Sequence, residues 1–236
     1  MADQLTLGLL GGTGPQGKGL ALRFALAGHE VLLGSRDAER SRGVVAELLG
    51  GRDLPIRPVV NEEAAVDAEV VLLTFPFEGQ AALLPGLAGA LGGKVVVDVV
   101  NPLGWDELGA TMLPVAEGSA AEQAQALLPA SRVTAAFHHA PPRLLLDPSR
   151  EVDTDVLVVG DDPAARAVVI GLADAIPGCR GIDAGPLRLA RYLEGLTAVV
   201  VSVNRRYKIN AGVRVTRLSE ERRRRLASPP AGEEGP

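Results

Sequence analysis

The chain has 236 residues, 47% of them hydrophobic and 22% charged, with a formal net charge of −5. That is the balance of a folded globule with room for a sizeable core, and without a basic excess it excludes a partner that must be followed along a phosphate backbone. One cysteine, Cys179, excludes an intrachain disulfide or a multi-cysteine metal cage, and no targeting segment or bilayer-length apolar run is present, so a cytoplasmic protein is expected.

Residues 5–10 read as a strand, 18–27 as a helix and 29–34 as a second strand, a βαβ unit with a glycine-rich turn after its first strand. That turn, "GGTGPQGKG", fits two patterns. Gly12, Gly14 and Gly17 match GxGxxG, which seats a dinucleotide pyrophosphate, whereas Gly12 to Lys18 matches GxxxxGK, most of a triphosphate-binding P-loop. The P-loop needs a hydroxyl after its lysine to hold magnesium, and that position is Gly19. Asp98, ending "VVVD", resembles the acid that helps hold the same metal, but apolar strands ending in aspartate are common where strands meet loops.

The dinucleotide pattern makes its own demand about twenty residues further on, where the second strand should end in a group that reads the adenosine ribose. There "GSRDAER" supplies Ser35 and Arg36, with Arg40 one helical turn later. A hydroxyl and guanidinium forks suit a 2′-phosphate, so NADP(H) is expected over NAD(H). Sterics give Gly12 the tight turn, Gly14 the close approach of backbone to pyrophosphate, and Gly17 the close packing of helix on strand. Thr13, Pro15 and Gln16 then stand at the helix mouth, where free amides and the dipole favour phosphate. Asp37 reads as a first-turn acid.

Beyond this unit, residues 36–49 look helical, 53–60 form a poor strand that carries prolines, and 61–67 start a short helix at Asn61. Residues 70–74, 94–99 and 132–137 are Val-rich runs without polar alternation, as in strands buried on both faces. Residues 155–159 and 181–183 are weaker late strands around a helix at 164–175. The pattern predicts an α/β fold of Rossmann type, an open, doubly wound, mostly parallel sheet. Residues 187–207 turn helical, and their apolar stretch 196–203 should pack on the sheet or on another subunit. From 219 onward the chain has charge, proline and glycine without an apolar period; a disordered tail is expected, with arginines 222–225 solvated. The expected division is a nucleotide-binding domain over 1–183, a helical part over 184–218 and a tail over 219–236.

"GGTGPQGKGLA" joined to "GSR" and "DAGPL", with "VVLLTFPFEG", "VVVDVVNPLG", "VTAAFHHAPP", "VLVVGDD" and "NRRYKINAGVR" in order, resembles the NADPH-dependent coenzyme F420 reductases over residues 5–218. The resemblance implies hydride exchange between NADP(H) and the 8-hydroxy-5-deazaflavin ring of F420, both bound in one cleft of a homodimer that takes small-molecule partners only. It puts NADP contacts on Thr13, Gly14, Pro15 and Gln16 at the pyrophosphate and on Ser35, Arg36 and Arg40 at the 2′-phosphate. The nicotinamide end falls near Phe75, Pro76, Val100, Asn101 and Ala140. His138, His139, Pro141 and Pro142, with the C-terminal helical part, would form an apolar deazaflavin pocket.

Archaeal members of that family carry one histidine where this chain has two. Neighbours on an extended segment point to opposite sides, so at most one imidazole is expected in the cleft, with His138 shaping the pocket or bonding a ring carbonyl. No side chain need act as nucleophile, and a metal would need further converging ligands, whereas the only other histidine, His29, starts the second strand. Arg188, Arg191, Arg205, Arg206 and Lys208 could attract the anionic tail of F420 or form a solvated face. Two other functions fit the same loop: an imine or 2-oxo acid reductase of related fold, and a non-enzymatic NADPH-binding redox sensor. The first adds a long helical domain, for which the chain after Asp183 is short.

Overall fold

The computed structural model describes residues 4–227. The expected βαβ unit forms as β1 (Thr6–Leu10), α1 (Pro15–Leu26) and β2 (Glu30–Ser35), followed by α2 (Ala38–Leu49), β3 (Ile56–Val60) and α3 (Asn61–Asp67). The chain then crosses to the other side of β1 for β4 (Val70–Leu73), α4 (Gln80–Leu91) and β5 (Val95–Asp98). A hairpin of β6 (Leu103–Asp106) and β7 (Gly109–Met112) precedes α5 (Ala120–Leu127), β8 (Arg132–Ala135) and the short α6 (Pro142–Leu145). Last come β9 (Thr154–Gly160), α7 (Pro163–Asp174), β10 (Cys179–Gly185), α8 (Ala190–Tyr207) and α9 (Glu220–Ala227).

The main sheet has eight strands in the order β10-β9-β8-β5-β4-β1-β2-β3. Strands β4 and β5 are buried along their whole length, which is why they are unbroken apolar runs. β3 lies at the edge, where Pro58, lacking an N–H, removes no ladder bond that a central strand would need. All neighbours run parallel except β8 and β9. The carboxyl ends of β1, β2, β3, β4, β5 and β8 therefore share one rim, and the first residues of inverted β9 join them there. Strand order reverses between β1 and β4, and a ligand crevice opens at such a switch point.

Two apolar layers cover the sheet. Phe24, Leu72, Val97, Phe137 and Ile170 belong to one, Leu32, Leu84, Val96, Val133 and Leu193 to the other. Phe24 and Phe137 meet edge to face, with centroids 5.9 Å apart.

After α8 the chain runs extended beside the start of β9. Asp155 N–H donates to the Val213 carbonyl at 2.7 Å and Val215 N–H to Asp155 Oδ2 at 2.6 Å. The buried Asp155 carboxylate also takes Arg180 at 2.7 and 2.8 Å and Arg214 at 2.8 Å. Burial alone would raise its pKa, but these arginines and the Val215 amide hold it below the usual range.

One expectation fails here: the segment after 219 is helical over Glu220–Ala227 rather than disordered. Arg223, 8% exposed, donates to both Asp174 oxygens of α7 at 2.7 and 2.8 Å and to Glu220 at 2.9 Å, so ion pairing does what an apolar face would otherwise do. Residues 228–236 of the expected tail lie outside the described residues. Among those described, no helix is long and apolar enough to cross a membrane.

Candidate functional site

The glycine turn is built by close approach. Gly11 takes the left-handed conformation, with φ +70°, and its N–H donates to Asn61 Oδ1 at 3.0 Å. A Cβ on Gly12 would lie 3.1 Å from Leu9 and Leu33, and one on Gly17 only 2.6 Å from Gly12 Cα, so these two glycines let α1 dock on the turn. At Gly14, the N-cap of α1, a Cβ would meet nothing within 4 Å. That position opens on space a ligand can enter, beside the unpaired amides of the first helical turn.

The triphosphate pattern fails on packing. A Cβ at Gly19 would stand 2.6 Å from Leu145 Cβ, so the metal-binding hydroxyl has no room. Asp98 is wholly buried; burial, with Glu194 close by, pushes its carboxyl well above the usual carboxylate range. Its Oδ1 accepts from Val100 N–H at 2.8 Å, and the side chain does not reach the cleft where a nucleotide's magnesium would sit.

At the end of β2, Ser35 Oγ accepts from Asp37 N–H at 3.3 Å. Asp37 is the N-cap of α2, accepting from Glu39 N–H at 2.9 Å, one position outside the first-turn role expected of it. Glu39 pairs with Arg42, leaving Arg36 and Arg40 exposed and without an ion pair among the described residues. Two unpaired guanidinium groups beside a glycine turn suit a phosphate.

Between these points and α8 lies a cleft of about 1630 Å³. Of the residues expected to touch a cofactor, all line it except Gly12 and Gly17, which stand behind the turn. Phe75 and Pro76 follow β4, Val100 and Asn101 follow β5, and the stretch from His138 to Pro142 follows β8.

The tandem histidines sit in a turn closed by Ala140 N–H donating to the Phe137 carbonyl at 3.2 Å. Phe137 enters it with φ +63°, a left-handed conformation that costs a bulky residue roughly 1–2 kcal/mol. Because the turn breaks the extended alternation, both imidazoles are buried in the wall, where only one was expected. His139 Nε2 bonds the Asp155 carbonyl at 2.9 Å. Both ring nitrogens of His138, Nδ1 of His139 and Oδ1 of Asn101 are buried without partners, polar atoms that suit a heterocycle presenting carbonyl and N–H groups. Burial, aided by His139, drives His138 down to about 3, so its ring is neutral. His29 is structural, accepting from Leu5 N–H at 3.2 Å. Among the described residues no group of three His, Cys, Asp or Glu could hold a metal ion.

The opposite wall comes from the C-terminal helical part, which the resemblance assigned to the pocket without naming its residues. α8 contributes Thr197, Val200, Val201 and Asn204, and the segment after it Lys208 to Asn210. Glu194, wholly buried, accepts from the Ala120 and Ala121 amides at 3.1 and 3.2 Å and so caps α5. Its only signal was a lone carboxylate inside "LRLARYLEGLTAVVV". Of the five basic residues read as a possible anion face, Arg205 and Lys208 line the cleft, and Arg143 joins them from α6. Arg188 and Arg191 border a separate hollow of about 210 Å³, and Arg191 pairs with Glu122.

Residues 6–102 match the family model described as NADP oxidoreductase, coenzyme F420-dependent. The chain is 41% identical over 224 residues to the F420-dependent NADP reductase of Methanothermobacter marburgensis, covering 92% of this chain and 100% of that one. To the enzyme of the same name from Methanocaldococcus jannaschii it is 35% identical, over 91% and 99%. A crystal structure of a candidate F420-dependent NADP reductase from Arthrobacter sp. FB24 superposes with TM-score 0.79 at 28% identity, covering 91% of this chain and 100% of that one. An imine reductase from Streptomyces aurantiacus, at 22% identity and TM-score 0.58 over 87% and 64%, shares the fold.

Proposed function

The chain belongs to the F420-dependent NADP reductase family, and from that premise we propose how its cleft performs hydride transfer between NADP(H) and coenzyme F420. The pyrophosphate rests on the amides at the mouth of α1, and the 2′-phosphate meets Ser35, Arg36 and Arg40. The nicotinamide reaches between Phe75, Pro76, Val100, Asn101 and Ala140. The deazaflavin lies against it, bounded by His138, His139, Pro141 and Pro142 on one side and by α8 on the other, so residues 184–218 complete the pocket. Arg143, Arg205 and Lys208 form a cationic mouth for the anionic tail of F420.

The two carriers exchange a hydride between the nicotinamide C4 and the deazaflavin C5, so the chain's task is to align two ring faces and keep water out. Val100, Val200 and Val201 supply dry walls. His138, neutral and unpartnered, is able to donate one hydrogen bond from its ring to a deazaflavin carbonyl. The observation that carries this reading is the continuity of one cleft from unpaired Arg36 and Arg40 to the orphaned polar atoms of Asn101 and His138. Mixing the protein and F420 with NADPH or NADH tests it: the deazaflavin absorbance should bleach with NADPH and far more slowly with NADH, and equal rates would overturn the phosphate reading.

A homodimer built on α8 belongs to the same proposal. Tyr192, Val199 and Tyr207 are exposed there at 67, 59 and 67% and do not line the cleft. Together with Trp105 and Leu108 of the neighbouring hairpin they offer an apolar surface suited to a second copy.

A further inference from the structure

Gln16 was read as a pyrophosphate contact, yet its side chain is already engaged elsewhere. Nε2 donates to the Phe137 carbonyl at 3.0 Å, across 121 residues of sequence. The same carbonyl accepts from Ala140 N–H and closes the turn that carries both histidines. Phe137 cannot relax that turn by itself, since its ring is wholly buried against Phe24 and its backbone is held at φ +63°. Asn101 Nδ2 fixes the next carbonyl, that of His138, at 3.2 Å, and His139 is tied to Asp155. The turn is thus gripped from α1, from the loop after β5 and from the start of β9.

We infer that Gln16 is a positioning residue for the deazaflavin half of the cleft, its side-chain amide holding the Phe137 carbonyl and with it the His138–His139 turn. The phosphate side of the cleft needs only the main-chain N–H of Gln16, which any residue other than proline supplies. The side chain instead sets where the unpartnered His138 ring stands. This deepens the reading of the cleft given above and rests on it.

The test uses the full-length protein and two binary dissociation constants, for NADP+ by calorimetry and for F420 by its fluorescence, in wild type, Gln16→Met and Gln16→Asn. Methionine keeps length and volume without a donor, and asparagine keeps the donor but falls a methylene short. Both should weaken F420 about tenfold, the size of one lost hydrogen bond, and leave NADP+ within about twofold. Retained NADP+ affinity also certifies that the variants fold. In the ligand-free protein, the imidazole nitrogen resonances of His138 should shift in both variants. An unchanged F420 constant, or a loss falling on NADP+ equally or more, overturns the inference while the cleft reading stands. Failure of the wild type to bind F420 overturns both.

Discussion

Single residues divide the site into parts that can be tested apart. Arg36 and Arg40 have no other partner among the described residues, so replacing both with alanine removes charge-assisted bonds worth about 1.5–3 kcal/mol each to a charged group. The expected result is a KM for NADP(H) at least tenfold higher, with NAD(H) nearly unaffected in the same steady-state assay. Gly19→Ser restores the P-loop pattern on paper, but its Cβ would meet Leu145 at 2.6 Å. It should lower stability by about 1–3 kcal/mol in denaturant titration and confer no magnesium-nucleotide binding. His138 has its pKa depressed to about 3 in the folded chain against about 6.5 when unfolded. The folded state therefore binds fewer protons, and the stability present above pH 6.5 is lost as pH falls toward 3. In His138→Gln, thermal melting should fall less steeply over that window.

Among elements, α8 packs mainly on the β6–β7 hairpin and on α5, and Glu194 pins it to the N-terminus of α5. Burial pushes that carboxyl up to about 7, against the Ala120 and Ala121 amides that pull it down. A raised acid pKa means that the folded state binds the extra proton, so this group costs stability as pH rises from about 4.5 to 7. Glu194→Gln should flatten that slope in melting curves, and an unchanged slope would remove Glu194 as its source. The βαβ unit, the Val-rich strands and the Ser35, Arg36 and Arg40 cluster were legible in the sequence because each follows from local pattern: period, glycine spacing, the separation of turn and strand end. The side-chain bonds of Asn61, Gln16 and Glu194 were not legible, since each runs to backbone 50, 121 and 73 or 74 residues away. The hairpin β6–β7 escaped because "LGWDELGATM" is short and half exposed, and α9 because ion pairs rather than an apolar stripe hold it.

At the scale of the molecule, one rim of a doubly wound sheet gathers the ends of six parallel strands, and a single helical appendage faces them across about 1630 Å³. One end of the cleft offers main-chain amides and arginines, the other buried imidazoles and valines. Such a cleft can stack two flat carriers and bar solvent from between them. The most direct measurement uses NADPH deuterated at C4 on the transferred face, oxidised by F420 in ordinary water with this protein as catalyst. Mass spectrometry of the reduced deazaflavin should find the deuterium at C5. Product carrying only protium from the solvent would contradict face-to-face transfer in a closed cleft.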